Sequence, residues 1–193
     1  MKLAALLLLP GVMTVQAAAG QTSTARSESF LLRISESHTT LRPTAGPNNM
    51  GNCMIVYPDG RLHLELRRQE LFDGQATFVS YEGKLSTQEF ISLRSILDSD
   101  SVRSLQTVPS PRVPMVADDW ESFTAEIRRG TEMQNVGTFT WHGAGPKDSE
   151  DDKRAWQEAG LALQSLIDWS HRVKSVKSPE LRRIRNWNSV CGQ

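Results

Sequence analysis

The sequence predicts an α+β domain: an antiparallel sheet of five or six strands, a meander plus a hairpin, with two main helices packed on one face. Three observations predict it. Short runs alternate apolar and polar residues at the two-residue period of a strand. Proline, glycine, asparagine and aspartate cluster between those runs, as turns require. Two longer segments carry their apolar residues at helical spacing, one behind a capping box and the other behind a run of acids.

The first strand is expected where Phe30, Leu32 and Ile34 alternate with Leu31, Arg33 and Ser35. Leu41 to Asn52, with Pro43, Gly46, Pro47 and Gly51, reads as a loop. Cys53 to Tyr57 forms the next strand and runs into the turn Pro58-Asp59-Gly60. There proline presets φ, aspartate bonds the local backbone and glycine accepts positive φ. Leu62, Leu64 and Leu66 then alternate with Arg61, His63, Glu65 and Arg67, which predicts a strand with one apolar face and one solvated, charged face. A turn at Asp73-Gly74 leads to a third meander strand over Ala76 to Tyr81.

Ser86 and Glu89 make a capping box ahead of a helix from Thr87 to Leu97, whose stripe is Phe90, Leu93, Ile96 and Leu97. Asp98 to Ser101 ends that helix, and Val102 to Leu105 adds a short turn. The prolines of segment 108–114 make a stiff connector. Phe123, Ala125 and Ile127 mark one strand of a hairpin, Arg129 to Glu132 its turn, and Val136 to Trp141 its second strand. A long helix opens at Asp148 to Asp152 and reaches Val173 to Val176, with acids at its start and His171, Arg172, Lys174 and Lys177 at its end, the arrangement its dipole favours. Leu181 to Trp187 is expected to be a short helix that carries Cys191 back to the sheet.

Residues 1–19 have the marks of a signal peptide: Lys2 as a positive start, an apolar run from Leu3 to Val15, and the small residues Ala17 to Ala19 at the cleavage position. That run, broken by Pro10 and Gly11, falls short of the roughly twenty apolar residues of a membrane span. Residues 20–29 are a polar lead-in, and 30–193 form a single domain. The expected location is therefore secreted or periplasmic, with a leader of bacterial type and no transmembrane segment after cleavage. The chain carries 22 basic and 22 acidic residues, so losing Lys2 leaves a net charge near −1. Such a balance supplies no overall field for nucleic acid, and none is expected as a partner. In an oxidising compartment Cys53 and Cys191 pair by default.

Motifs that carry chemistry have simpler explanations. Gly143 to Lys147 lacks the spacing of a phosphate loop, since Pro146 removes a donor and Asp148 stands where serine or threonine belongs. His63 and Glu65, two apart on one strand face, would begin a metal or acid–base site if His142 joined them. A solvated face with cross-strand ion pairs is the stronger expectation. Asp118-Asp119 and the run Asp148 to Asp152 do not follow a calcium-loop spacing and read as a loop end and a helix start. The bases Arg172, Lys174, Lys177, Arg182, Arg183 and Arg185, against Glu180 alone, suggest a basic amphipathic element with Trp169, Ile184 and Trp187. A solvated helix end with the tryptophans in the core explains them better. No catalytic residue, cofactor or metal is assigned.

The unit from Cys53 to Leu105, with Tyr57 to Gly60, Tyr81 to Gly83 and Leu85 to Phe90 as its signatures, resembles small uncharacterised secreted domains of bacteria. That resemblance implies an exported protein and carries no activity. The function expected is an exported binding or interaction domain without catalysis, its partner a protein or other envelope component. Two rivals are kept: a secreted hydrolase whose residues meet only in three dimensions, and a binder of anionic surfaces through the basic C-terminal segment.

Overall fold

The computed structural model of the chain describes residues 29–40, 49–69, 77–107, 119–142, 149–174, 181–184 and 191. The expected signal peptide (residues 1–19), nearly all of the expected lead-in, the expected turn at Asp73-Gly74 and the proline connector lie outside them. Among the described residues seven strands form one antiparallel sheet: β1 (Leu32–Thr40), β2 (Asn49–Val56), β3 (Arg61–Gln69), β4 (Thr77–Lys84), β5 (Asp119–Arg129), β6 (Glu132–His142) and β7 (Arg182–Ile184). Their order across the sheet is β6-β5-β1-β2-β3-β4-β7. Three helices accompany them, α1 (Thr87–Leu97), the four-residue α2 (Asp100–Arg103) and α3 (Glu150–Val173). The mixed class and the single antiparallel sheet agree with expectation; the strand count exceeds it. None of the described helices is long and apolar enough to cross a membrane.

Local chemistry accounts for most boundaries. Gly60 takes φ +83° after Pro58 and Asp59, and Asp59 accepts from the Arg61 backbone N–H, so the β2–β3 turn closes as its residues dictate. Ser86 Oγ accepts from the Glu89 N–H at 3.2 Å and starts α1. Ser149 Oγ does the same for Asp152 at 3.1 Å and starts α3. Gly130, at φ +65°, turns β5 into β6.

Three expectations are corrected. Asn49 to Asn52 are not loop but the first half of β2, drawn into the sheet by pairing with β1 on one side and β3 on the other. Segment 181–187 does not begin as a helix: Arg182 to Ile184 form β7, held by its ladder to Ser80, Tyr81 and Glu82 of β4. The polar face of β3 is solvated only in part: Arg61 is exposed, whereas His63 and Glu65 are buried.

The core lies between the sheet and the helices. Leu32, Ile34, Met54, Val56, Leu62 and Leu64 from adjacent strands pack against Leu93 and Leu97 of α1, Val102 of α2, and Leu163, Leu166, Trp169 and Val173 of α3. These strand residues share one face because they are in register. α3 begins against β6, where Thr138 Oγ1 donates to the Trp156 carbonyl at 2.7 Å. Gly160 leaves room for that approach, since a Cβ there would stand 3.0 Å from Thr138 Oγ1. About four turns on, the same helix reaches β1, where Ser170 and Lys174 meet Glu36. It therefore crosses the strands rather than following them, with α1 and α2 on one flank.

Candidate functional site

On the other flank of α3 the described residues leave the helix-side face of the sheet open. Two cross-strand rows form the floor there. One is Thr138, Phe123, Glu36, Asn52, Leu66 and Val79; the next is Thr140, Glu121, His38, Met50, Arg68 and Thr77. With Ile167 and His171 of α3 as a wall, they enclose a cavity of about 630 Å³. The strand ends Thr40, Asn49, Gln69, Thr77, Asp119 and His142 all lie at this end of the sheet.

Most of the cavity's lining surface is apolar, through Met50, Leu66, Val79 and Phe123, while Glu36 and Asn52 stand toward α3 and Glu121, His38 and Arg68 in the outer row. Glu36 continues the face of Leu32 and Ile34, so strand alternation points its carboxylate toward the helix. There Ser170 Oγ donates to Oε1 at 2.9 Å and Asn52 Nδ2 to Oε2 at 3.1 Å. The Lys174 ammonium pairs with Oε2, and His171 Nε2 stands 3.6 Å from it. Burial alone would raise the Glu36 carboxyl; Lys174, Asn52 and Ser170 together outweigh it and hold the group below the usual carboxylate range. For Lys174 burial prevails over the attraction of Glu36, so its ammonium is held below the usual lysine range. A carboxylate held below 4.5 is ionised at neutral pH, and it faces Lys174, Asn52, Ser170 and His171 in that form.

At the outer row His38 Nε2 lies 2.5 Å from Asp119 Oδ1. An imidazole so oriented by a carboxylate suits proton transfer, provided that a nucleophile faces it. Of the described serines at the cavity, Ser37 and Ser122 alternate to the far face, where their hydroxyls bond each other at 2.7 Å. Ser170 is fully buried and bonded to Glu36 and to the Ile167 carbonyl. The described residues therefore place no serine hydroxyl against His38.

The residues singled out by motif fall elsewhere. His63 and Glu65 lie on the far face of β3, joined at 3.1 Å. His142 is on β6, with β5, β1 and β2 between it and β3, so it does not join them. Asp118 lies outside the described residues, as do Gly143 to Asp148. Within the first turn of α3, Glu150 pairs with Lys153, Asp151 with Arg154 and Asp152 with Ser149, which makes this acidic run a helix start. The described C-terminal bases divide between the end of α3 and the strand β7, Lys174 being occupied by Glu36. Trp169 is core, whereas Lys177, Arg185 and Trp187 lie outside the described residues.

Cys53 and Cys191 form the expected disulfide. Sequence reading missed Glu36 and His38, and read Lys174 only as a base at a helix end. Their signal was present in the parity of Leu32, Ile34, Glu36 and His38, which places a carboxylate and an imidazole on a core-facing row. No protein-family model matches the chain, and no curated protein is similar to it.

Proposed function

We propose that the chain is a non-catalytic binding domain that works outside the cytoplasm and holds a small, largely apolar molecule in the cavity beside α3. The cavity carries the reading: about 630 Å³ is well inside the range of roughly 300–1,000 Å³ typical of small-molecule sites. Its apolar floor supplies affinity. The polar groups of His38, His171 and Thr77 at its border fit a ligand with one hydrogen-bonding end. Export is supported by the leader pattern of residues 1–19 and is compatible with the disulfide.

The test uses a fluorescent naphthalene sulfonate dye as probe, together with solvent extraction of protein purified from its native envelope. The mature chain should bind about one dye with enhanced emission. Val79→Trp, which fills the floor, should abolish binding while leaving the melting temperature within a few degrees. Dye binding unchanged in Val79→Trp and in a second filling variant, Leu66→Trp, would refute the reading.

A hydrolase is the second reading, favoured only by the His38–Asp119 pair. Ester turnover by the wild type that is lost in His38→Gln with dye binding intact would support it over the first.

A further inference from the structure

The far face of the sheet carries an independent cluster. His63 and Glu65 are each 3% exposed, and alternation puts both on the side away from the helices. Cys53 lies opposite Glu65 in the β2–β3 register and points the same way. Its disulfide brings Cys191 to the same spot: ligand atoms of His63, Glu65 and Cys191 all lie within 4.8 Å of one another. Three side chains that bind metal when deprotonated thus meet, His63 and Glu65 of them buried, and Cys53 is joined to the third by the disulfide. His63 Nε2 faces Glu65, and its Nδ1 stands 3.7 Å from the carboxylate of Glu82, the residue opposite it on β4. A carboxylate on the outer nitrogen is how metal-binding imidazoles are oriented, leaving the inner nitrogen for the ion.

We propose that reduction of the Cys53–Cys191 disulfide turns this cluster into a closed zinc site, with the Cys53 and Cys191 thiolates, His63 Nε2 and the Glu65 carboxylate as its ligands. A dithiol reductant supplies the two electrons and two protons. The S–S bond breaks, both cysteines become thiols, and the reductant is left as its own disulfide. Zinc then displaces both thiol protons to solvent. Two sulfurs, one nitrogen and one oxygen make a tetrahedral set, with bonds of about 2.3, 2.0–2.1 and 2.0–2.2 Å respectively. Such bonds put the ligand atoms somewhat under 4 Å apart, closer than the 4.8 Å within which those of His63, Glu65 and Cys191 now lie. The oxidised chain does not hold the ion, because a disulfide sulfur lacks the thiolate charge that binds it.

The experiment uses the full mature chain, reduced with dithiothreitol, freed of reductant without air and titrated with cobalt(II), then zinc(II). One cobalt per reduced chain is expected, with tetrahedral ligand-field bands and thiolate-to-cobalt charge transfer that zinc abolishes; the oxidised chain should give neither. Glu65→Gln and His63→Gln should each weaken binding at least tenfold. Glu82→Gln, a positioning change, should weaken it about tenfold while keeping the charge-transfer band. A reduced chain that binds no cobalt, cobalt bound without the charge-transfer band, or equal binding by the oxidised chain would each overturn the proposal. So would wild-type affinity in His63→Gln and Glu65→Gln. Should a variant fail to fold by circular dichroism, the unsubstituted reduced chain decides: zinc should slow alkylation of both cysteines at least tenfold, and unchanged rates refute the site.

Discussion

Lys174→Met should destabilise the domain markedly, whereas Glu36→Met together with Lys174→Met should not. The two side chains are only 14% and 12% exposed, so solvent screens their interaction little. Removing the partner of a fully buried charge costs about 3–5 kcal/mol. Here Ser170 and Asn52 still donate to the carboxylate and the cavity admits water on one side, so about 2–3 kcal/mol is expected. For a domain of this size each kcal/mol lowers the melting temperature by about 2–4 °C, which puts the fall near 5–10 °C. Replacing both charges by methionine removes the desolvation cost with the attraction and should return stability to within about 1 kcal/mol of wild type. The pH profile gives a second measure. The Glu36 carboxyl is held below its usual value of 4.5, so its contribution is complete above that pH and lost as pH falls through its folded value. Lys174 is held below its usual value of 10.5, so it costs stability at neutral pH, and the cost is relieved as pH rises toward 10.5. Thermal melts of wild type, both singles and the double from pH 3 to 11 test this, and the double should lose both slopes. A Lys174→Met chain that melts with wild type, or a double variant as unstable as that single, would refute the account.

Three further outcomes follow from local geometry. Gly137→Ala should cost about 1–3 kcal/mol in urea denaturation, because its Cβ would stand 2.9 Å from the Phe123 carbonyl oxygen in the adjacent β5 backbone; an unchanged midpoint would contradict it. Replacing Cys53 and Cys191 by alanine releases a 138-residue separation, for which chain entropy sets a loss of about 5 kcal/mol as the ceiling. A loss under 1 kcal/mol by the same assay would show that the unfolded chain is compact without the bond. Ser86→Ala removes the acceptor for the Glu89 N–H and should cost about 1 kcal/mol, read by thermal melting, with Ser86→Asp retaining most of it.

Elements that declare themselves locally were legible. The span of α1 follows from Ser86 as cap and from the Phe90, Leu93 and Leu97 spacing, and the β5–β6 turn from Gly130 between alternating runs. Where pairing rather than local sequence makes the element, reading along the chain stops short. β7 is three residues long and has no period of its own; it is a strand because Ser80, Tyr81 and Glu82 offer it a ladder. Asn49, Gly51 and Asn52 are turn formers, yet neighbours on both sides bind their backbone into β2. Gly51 even fits tightly there, since a Cβ would lie 3.2 Å from the Glu36 carbonyl oxygen.

For the sites the limit is different. Alternation tells which residues share a face; it does not tell which face is covered, or by what. Leu62, Leu64 and Leu66 were placed correctly on one side of β3, but Leu62 and Leu64 are core while Leu66 floors a cavity. The difference arises from where α3 crosses, set by Thr138 and Gly160 at one end and by Glu36 with Lys174 at the other. His63 and Glu65, beside those leucines, read as solvated because the residue that reaches them, Cys191, comes from the other end of the chain. The disulfide itself was legible; its consequence for burial was not, since it follows only once Cys53 and Glu65 are known to face each other across β2 and β3. Glu65 and Leu66 are neighbours in the chain on opposite faces of a strand that is paired on both sides. A change in one side chain therefore has no direct path to the other except through a ladder held at both edges. The cavity beside α3 and the cluster under Cys191 should consequently respond to substitution independently, with Glu65→Gln leaving dye binding as it is and Val79→Trp leaving cobalt binding as it is.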